Sequence, residues 1–292
     1  MREFGYASPT TLDEALSALR SNGGTARPLA GGTDLVIQMK EAATRFPYPS
    51  SLVNLVRVPE LAGITFSEAE GLRIGATATM TDIAGHTAVR DHYAALAEGA
   101  GIVGSIQTMN LATIGGNLCN AAPSADTAPP LLALDAACEI AGPDGRKTVP
   151  IADFFRGPGQ TVLEPGDLLV SVSVPLPTPR AGSAFSRHTP RKQMDIAVVG
   201  VAAVVTLAND GTLETARIAL GAVAPTPIRA TRAEESLAGK PATSDSFAAA
   251  AEIAATESSP ISDIRGSAEF RRHLVRVMTE RMLAEASRRA GG

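Results

Sequence analysis

The segment AVVGVAAVVTLA, residues 197–208, is the strongest constraint on how this chain can fold. Twelve residues fall well short of the ~20 that a membrane-spanning helix needs. Its many β-branched valines fit a buried strand better than a helix. The segment therefore predicts a covered sheet in the last third of the chain. A chain of 292 residues, 45% of them hydrophobic, is long enough for two or three compact units. A net charge of −4 and a pI near 5.7 argue against a nucleic-acid binder, and no basic cluster interleaved with aromatics occurs. Arg271-Arg272 and Arg288-Arg289 read as the solvated face of a terminal helix, as does Arg276. The N-terminus, MREFGYASPTTLDEAL, lacks the apolar run of a signal peptide, so a cytoplasmic protein is expected.

Around that strand the chain alternates between helical and extended patterns. Thr11 and Glu14 form a capping box, and Leu12, Ala15, Leu16 and Leu19 follow at helical spacing. Asn22-Gly23-Gly24 ends that helix. A short strand over 26–30, Gly31-Gly32 and a second helix over 34–40 come next. Residues 51–58 alternate as a strand, residues 63–79 read as a hairpin turning at Glu70-Gly71, and residues 81–100 read as helix from Thr81. A second hairpin turns at Pro143-Asp144-Gly145, and residues 168–175 form another strand. Pro175, Pro177 and Pro179 make a stiff connector. Beyond it, strands near 184–188, 196–207 and 213–222 precede helices near 231–238, 244–256 and 267–288. The last helix presents Phe270, Leu274, Val277, Met278 and Met282 as its apolar stripe.

Three glycine motifs bear on chemistry. GAGIVG, residues 99–104, has the spacing of a dinucleotide fingerprint, with Asp126 about 20 residues on. That fingerprint needs a strand before it and a helix after it, whereas a helical pattern precedes Gly99. RPLAGGTDL (27–35) runs instead from strand through Gly31-Gly32 into a helix, and TIGGN (113–117) follows an apolar segment. Each can present main-chain N–H groups to an anion, because glycine lets a ligand approach the backbone. Thr33 and Thr113 add hydroxyls, and the helix near Asp34 offers its positive end. Either pair could equally be a plain turn. Asp126 and Asp34 could each cap a helix instead, Asp195 could fix the backbone before a buried strand, and His188 could be a packing residue. Two cysteines are too few for an iron–sulfur cluster, and Cys119 reads as a small buried residue. The four histidines lack metal-site spacing.

PLAGGTDLVIQMK, TIGGNLCNAAPSADTAPPLLALDA, PRKQMDIAVVGVAA and DIRGSAEFRRHLV, taken together, resemble the FAD-binding medium subunit of molybdenum hydroxylases. The resemblance runs over essentially the whole chain in the family's order. It implies an α+β fold: a PCMH-type FAD-binding fold of two α/β subdomains, 1–56 and 57–176, and a C-terminal domain, 177–292, with a three-stranded antiparallel sheet and a helical bundle. It implies that both glycine loops clamp the FAD pyrophosphate through main-chain N–H groups: Leu29, Ala30, Gly31, Gly32, Thr33, Asp34 and Leu35 in the first, and Thr113, Ile114, Gly115, Gly116 and Asn117 in the second. Asp126 corresponds to an acid near the adenosine end and Leu169 to an apolar flavin contact. Arg187, with Ser186 as the other candidate, corresponds to a residue near the flavin ring.

The function so implied is electron transfer. [2Fe–2S] clusters in a small subunit would deliver electrons from a molybdopterin in a large subunit to FAD here, in a dimer of heterotrimers. The chain lacks the extra cysteines of the 4-hydroxybenzoyl-CoA reductase branch. Thr33-Asp34 replaces the His-Ser of the carbon monoxide dehydrogenase branch, which argues against carbon monoxide as substrate. Two alternatives stay open at this point: a self-contained flavin oxidase of the vanillyl-alcohol oxidase type, and a scaffold that has lost FAD.

Overall fold

A computed structural model describes residues 2–21, 25–41 and 47–291. Asn22-Gly23-Gly24 therefore lies outside the described residues. The N-terminal part is a parallel sheet, β1 (Gly5–Ala7), β2 (Ala26–Leu29) and β3 (Ser51–Asn54), in the order β1-β3-β2. The helix Leu12–Ser21 covers it with Leu12, Ala15, Leu16 and Leu19, the predicted apolar positions, all buried. Its cap forms as expected: Glu14 N–H donates to Thr11 Oγ1, and Thr10 N–H donates to the Glu14 carboxylate.

Next comes an antiparallel sheet of β4 (Ile64–Ser67), β5 (Gly71–Gly75), β6 (Ala137–Gly142), β7 (Gly145–Pro150) and, after a small ribbon of β8 (Phe155–Gly157) and β9 (Gln160–Thr161), β10 (Leu168–Val174). Its order is β4-β5-β10-β6-β7, so both predicted hairpins form and β10 closes the middle. Ala141, Leu168 and Val170 from this sheet complete the core beneath the first helix.

The C-terminal sheet is antiparallel, with three long strands, β11 (Ala181–His188), β12 (Val199–Leu207) and β13 (Leu213–Gly221), and a two-residue β14 (Ile228–Arg229) at its edge. β12 carries the valine-rich run, and all nine of its residues are buried. Val201, Ala203 and Val205 face the helices Ser244–Glu257 and Ala268–Ala290, whereas Ala202 and Val204 face the core of the preceding part. A strand covered on both faces has no reason to alternate, hence the continuous apolar run.

Several elements depart from expectation. The strand expected over 51–58 stops at Asn54, whose side-chain oxygen accepts from Val56 N–H before Pro59 opens a short 3-10 turn. The helix expected over 81–100 is three short ones, Met80–Gly85, Thr87–His92 and Ala94–Ala100. Thr79 opens the first through a capping box with Asp82, and His86 and Tyr93 leave helical geometry. On the last helix the buried face runs through Arg271, Val275, Met278, Thr279, Leu283 and Ala286. Phe270 stands outside it, edge-on to the half-buried His188 ring. The rotation has a cause: Arg271 turns inward and donates to Val198 O, Ala222 O and Asp263. It is not part of a solvated face.

Candidate FAD site

GAGIVG does not form a nucleotide fold. A helix, Ala94–Ala100, precedes the turn at Gly101, as the pattern around Gly99 predicted. Gly99 has a packing role instead, since a methyl group there would sit 2.6 Å from Asp126 O. This helix supports the loop that carries Asp126.

The first of the other two glycine pairs lies against the segment just before the second, although about 80 residues separate them. A methyl group on Gly31 would fall 1.8 Å from Leu111 O, so the turn after β2 is docked on the strand-like segment that leads to Thr113. Gly32 has φ +69°, the left-handed region that favours glycine. Leu29 through Thr33 and Leu35 are half-buried and Asp34 is exposed. Among the described residues, no acceptor stands opposite the main-chain N–H groups of Gly31, Gly32, Thr33 and Leu35. An anion can take them.

The second loop is built differently. Ile114 N–H donates to Ala78 O, Gly115 N–H to Ala76 O, Gly116 N–H to Thr113 Oγ1 and Asn117 N–H to Thr113 O. These donors are engaged within the protein, which corrects the expectation of two equivalent N–H clamps. Thr113 is the N-cap of the seven-residue helix Ile114–Asn120, and Thr113, Ile114 and Gly115 are buried. Gly115 packs on Ala76, 2.7 Å from its carbonyl oxygen to a notional Cβ, whereas Gly116 is exposed and a Cβ there would meet only Thr113 Oγ1. The first glycine of each pair thus serves packing, whereas of the second ones Gly32 holds a positive φ between Leu29 and Val36 and Gly116 is the more open. Asn117 offers its side chain: its Oδ1 accepts from Thr127 Oγ1 at 2.6 Å, which leaves the amide NH₂ to donate elsewhere.

Thr127 leads to Asp126. The helix Ala128–Ala133 takes Thr127, not Asp126, as its N-cap residue. Asp126 Oδ2 instead accepts from Arg187 Nη1 of β11, and both side chains are buried. Asp126 Oδ1 and Arg187 Nη2 have no partner. Desolvation outweighs the adjacent guanidinium and pushes the Asp126 carboxyl up to about 7. On β11, Phe185 belongs to the core of the FAD-side part and Ala184 to the C-terminal core. Strand alternation then sends Arg187 toward the site and Ser186 away from it, which decides between the two candidates.

Asp126 and Arg187 were expected near opposite ends of the cofactor, and the structure brings their side chains into direct contact. The pairing had no sequence signal, since 61 residues separate the partners. Leu169 lies in β10 within the core that also holds Ile114 and Leu118. Cys119, expected to be buried, is exposed. Asp195 accepts from the N–H groups of Arg191 and Ile196, fixing the approach to β12 as expected.

The residues fit a dinucleotide. A turn with open N–H donors, an exposed glycine, the Asn117 amide and a carboxylate–guanidinium pair with unpartnered atoms are polar partners suited to a dinucleotide. Comparison with known proteins agrees. Residues 2–177 match the family described as FAD binding domain in molybdopterin dehydrogenase, and residues 184–286 match the CO dehydrogenase flavoprotein C-terminal domain. The chain is 39% identical to a putative xanthine dehydrogenase FAD-binding subunit of Escherichia coli K12, over 98% of this chain and 97% of that one. It is 35% identical to the carbon monoxide dehydrogenase medium chain of Hydrogenophaga pseudoflava, over 97% and 96%. A solved structure of carbon monoxide dehydrogenase from that organism superposes with TM-score 0.92 at 34% identity, over 99% of this chain and 98% of that one. A quinoline 2-oxidoreductase structure from Pseudomonas putida 86 superposes with TM-score 0.91 at 34% identity, over 99% and 98%. The α+β fold and the oxidoreductase class follow, with FAD as cofactor: this chain belongs to the family of FAD-binding medium subunits of molybdenum hydroxylases.

Proposed function

We propose that this chain holds one non-covalent FAD across the two glycine loops and the Asp126–Arg187 pair. In that position it would pass electrons from [2Fe–2S] clusters of a small subunit to an external acceptor. The observation that carries the reading is the buried Asp126–Arg187 pair with one unpartnered atom on each side chain. The first loop offers its N–H donors to the pyrophosphate. Gly116 keeps the space that a phosphate oxygen needs, and the Asn117 amide adds a donor. We place Asp126 and Arg187 at the flavin end, where Asp126 Oδ1 can accept from a ribityl hydroxyl and Arg187 Nη2 can donate to a ring carbonyl.

Bound FAD supplies an acceptor that takes electrons singly and releases one or two. The protein's part is to bind and orient it, so no side chain is assigned as acid or base. We assign residues 1–56 and 57–176 to the two FAD-binding subdomains and 177–292 to the C-terminal domain. We further propose small iron–sulfur and large molybdenum partners in a cytoplasmic dimer of heterotrimers, with the large subunit choosing the substrate. This chain and the dehydrogenase subunits it matches cover each other almost end to end, which favours the subunit reading over a self-contained oxidase. The test is direct. Purified chain should carry flavin, and acid precipitation should release all of it into the supernatant. Colour left in the pellet, or a chain that takes up no flavin, overturns the proposal.

A further inference from the structure

Asp126 and Arg187 join two separate parts of the fold. Asp126 lies between the helices Ile114–Asn120 and Ala128–Ala133 on the FAD-binding side, and Arg187 lies on β11 of the C-terminal sheet. Their side chains are only 9% and 5% exposed. Neighbouring contacts across the same junction are satisfied: Ala95 N–H donates to Ser183 Oγ, Phe185 N–H to Glu98, and Ala222 N–H to Pro123 O, and Arg289 pairs with Glu98. Among these contacts of the described residues, this pair is the one left with open corners, at Asp126 Oδ1 and Arg187 Nη2. A buried ion pair recovers its desolvation cost only when its remaining lone pairs and protons are matched. Without such partners it is a weak clasp.

We infer that Asp126 and Arg187 form an unfinished latch between the FAD-binding part and the C-terminal domain, and that the cofactor's own polar groups complete it. Cofactor occupancy and the seating of the C-terminal domain then become one coupled equilibrium. The inference rests on the FAD reading above. A hydroxyl is needed at Asp126 Oδ1 and a carbonyl or phosphate oxygen at Arg187 Nη2, and FAD carries both kinds of group close together. Without cofactor, opening the junction lets water reach the two orphaned atoms and relieves them. With cofactor, opening breaks two matched contacts. Occupancy must therefore make opening rarer, by the same free energy with which seating raises cofactor affinity.

The test uses the full chain, FAD as the probe, and hydrogen exchange at the amides of Ala95, Phe185 and Ala222, which donate across the junction. In the wild type, FAD should slow exchange at these amides by about tenfold or more. Arg187→Met and Asp126→Asn should each weaken FAD binding about tenfold, and the double variant should bind within about threefold of the weaker single, because the pair acts as one unit. Effects that multiply, an Arg187→Met chain that binds FAD like the wild type, or unchanged exchange at saturating FAD would each overturn the latch. Should Arg187→Met fail to fold, Asp126→Asn carries the test, since its amide keeps the side chain's shape. It should lose FAD-dependent protection, and keeping that protection overturns the latch. A wild type that binds no FAD overturns the proposed function together with the latch. A wild type that binds FAD with no change in exchange overturns the latch alone.

Discussion

Gly31 and Gly116 belong to neighbouring loops, yet a methyl group should have opposite effects at the two positions. In Gly31→Ala the new Cβ falls 1.8 Å from Leu111 O and 2.6 Å from its carbonyl carbon. Backbone is the obstacle, so one loop must move off the other. Overpacking of this kind costs roughly 1–3 kcal/mol, or more where the backbone has to shift. At about 2–4 °C per kcal/mol for chains somewhat smaller than this one, the melting temperature should fall by several degrees. In Gly116→Ala the Cβ meets only Thr113 Oγ1, at 3.1 Å, on an exposed helical position. Replacing a helical glycine by alanine gains roughly 0.5–1 kcal/mol, so the cofactor-free chain should be as stable as the wild type or slightly more so. The same methyl occupies the space assigned to a phosphate oxygen. A misfit of ~1.4–3 kcal/mol there weakens FAD about tenfold to a hundredfold. Thermal unfolding without FAD and equilibrium titration with FAD separate the two effects. Gly116→Ala with wild-type FAD affinity would refute the assignment of that glycine to the cofactor. Gly31→Ala with wild-type stability would refute the loop-to-loop docking.

Asp126 should give the cofactor-free chain a pH signature. Its folded pKa of about 7 lies above the ordinary carboxylate value, so the folded chain binds the extra proton. This group's contribution is fullest below about pH 4 and is lost as pH rises through about 7. Urea midpoints between pH 5 and 8 should fall more for the wild type than for Asp126→Asn, and parallel curves would remove the carboxyl as the cause. Arg271→Met strips donors from Val198 O and Ala222 O and removes one of the two arginines that pair with Asp263. It should cost roughly 2–4 kcal/mol, read by urea unfolding, and a loss under 0.5 kcal/mol would show the inward arginine to be dispensable. Gly32→Val places a β-branched residue at φ +69°. It should abolish FAD uptake, and normal flavin content in that variant would make the first loop only a turn.

Local chemistry was legible where it decided the structure. The valine run, the two hairpin turns and the helices beyond residue 230 were written in period and punctuation, and the structure departs from them by only a few residues. The stretch 81–100 misled because its apolar positions suit one long helix, while His86 and Tyr93 break it through tertiary packing. The stripe on the last helix was misplaced because a buried arginine reads as polar until its carbonyl partners are seen. The glycine pairs marked the site, but their division of labour was not visible. Whether Gly31 meets a ligand or Leu111 depends on a chain segment 80 residues away, and the spent N–H groups of the second loop depend on Ala76 and Ala78. Likewise, Asp126 and Arg187 each carried a family resemblance, but only the folded chain puts them in contact.

On the proposed function this chain carries the flavin of a larger assembly and has no substrate chemistry of its own. Anaerobic mixing tests it most directly. The FAD-loaded chain is mixed with a substrate that the assembled complex oxidises, first alone and then with the iron–sulfur and molybdenum subunits restored, while flavin colour is followed. The account predicts that dithionite bleaches the isolated chain but the substrate does not, and that substrate bleaching returns with the two partners. Bleaching of the isolated chain by substrate at the rate of the full complex would contradict it.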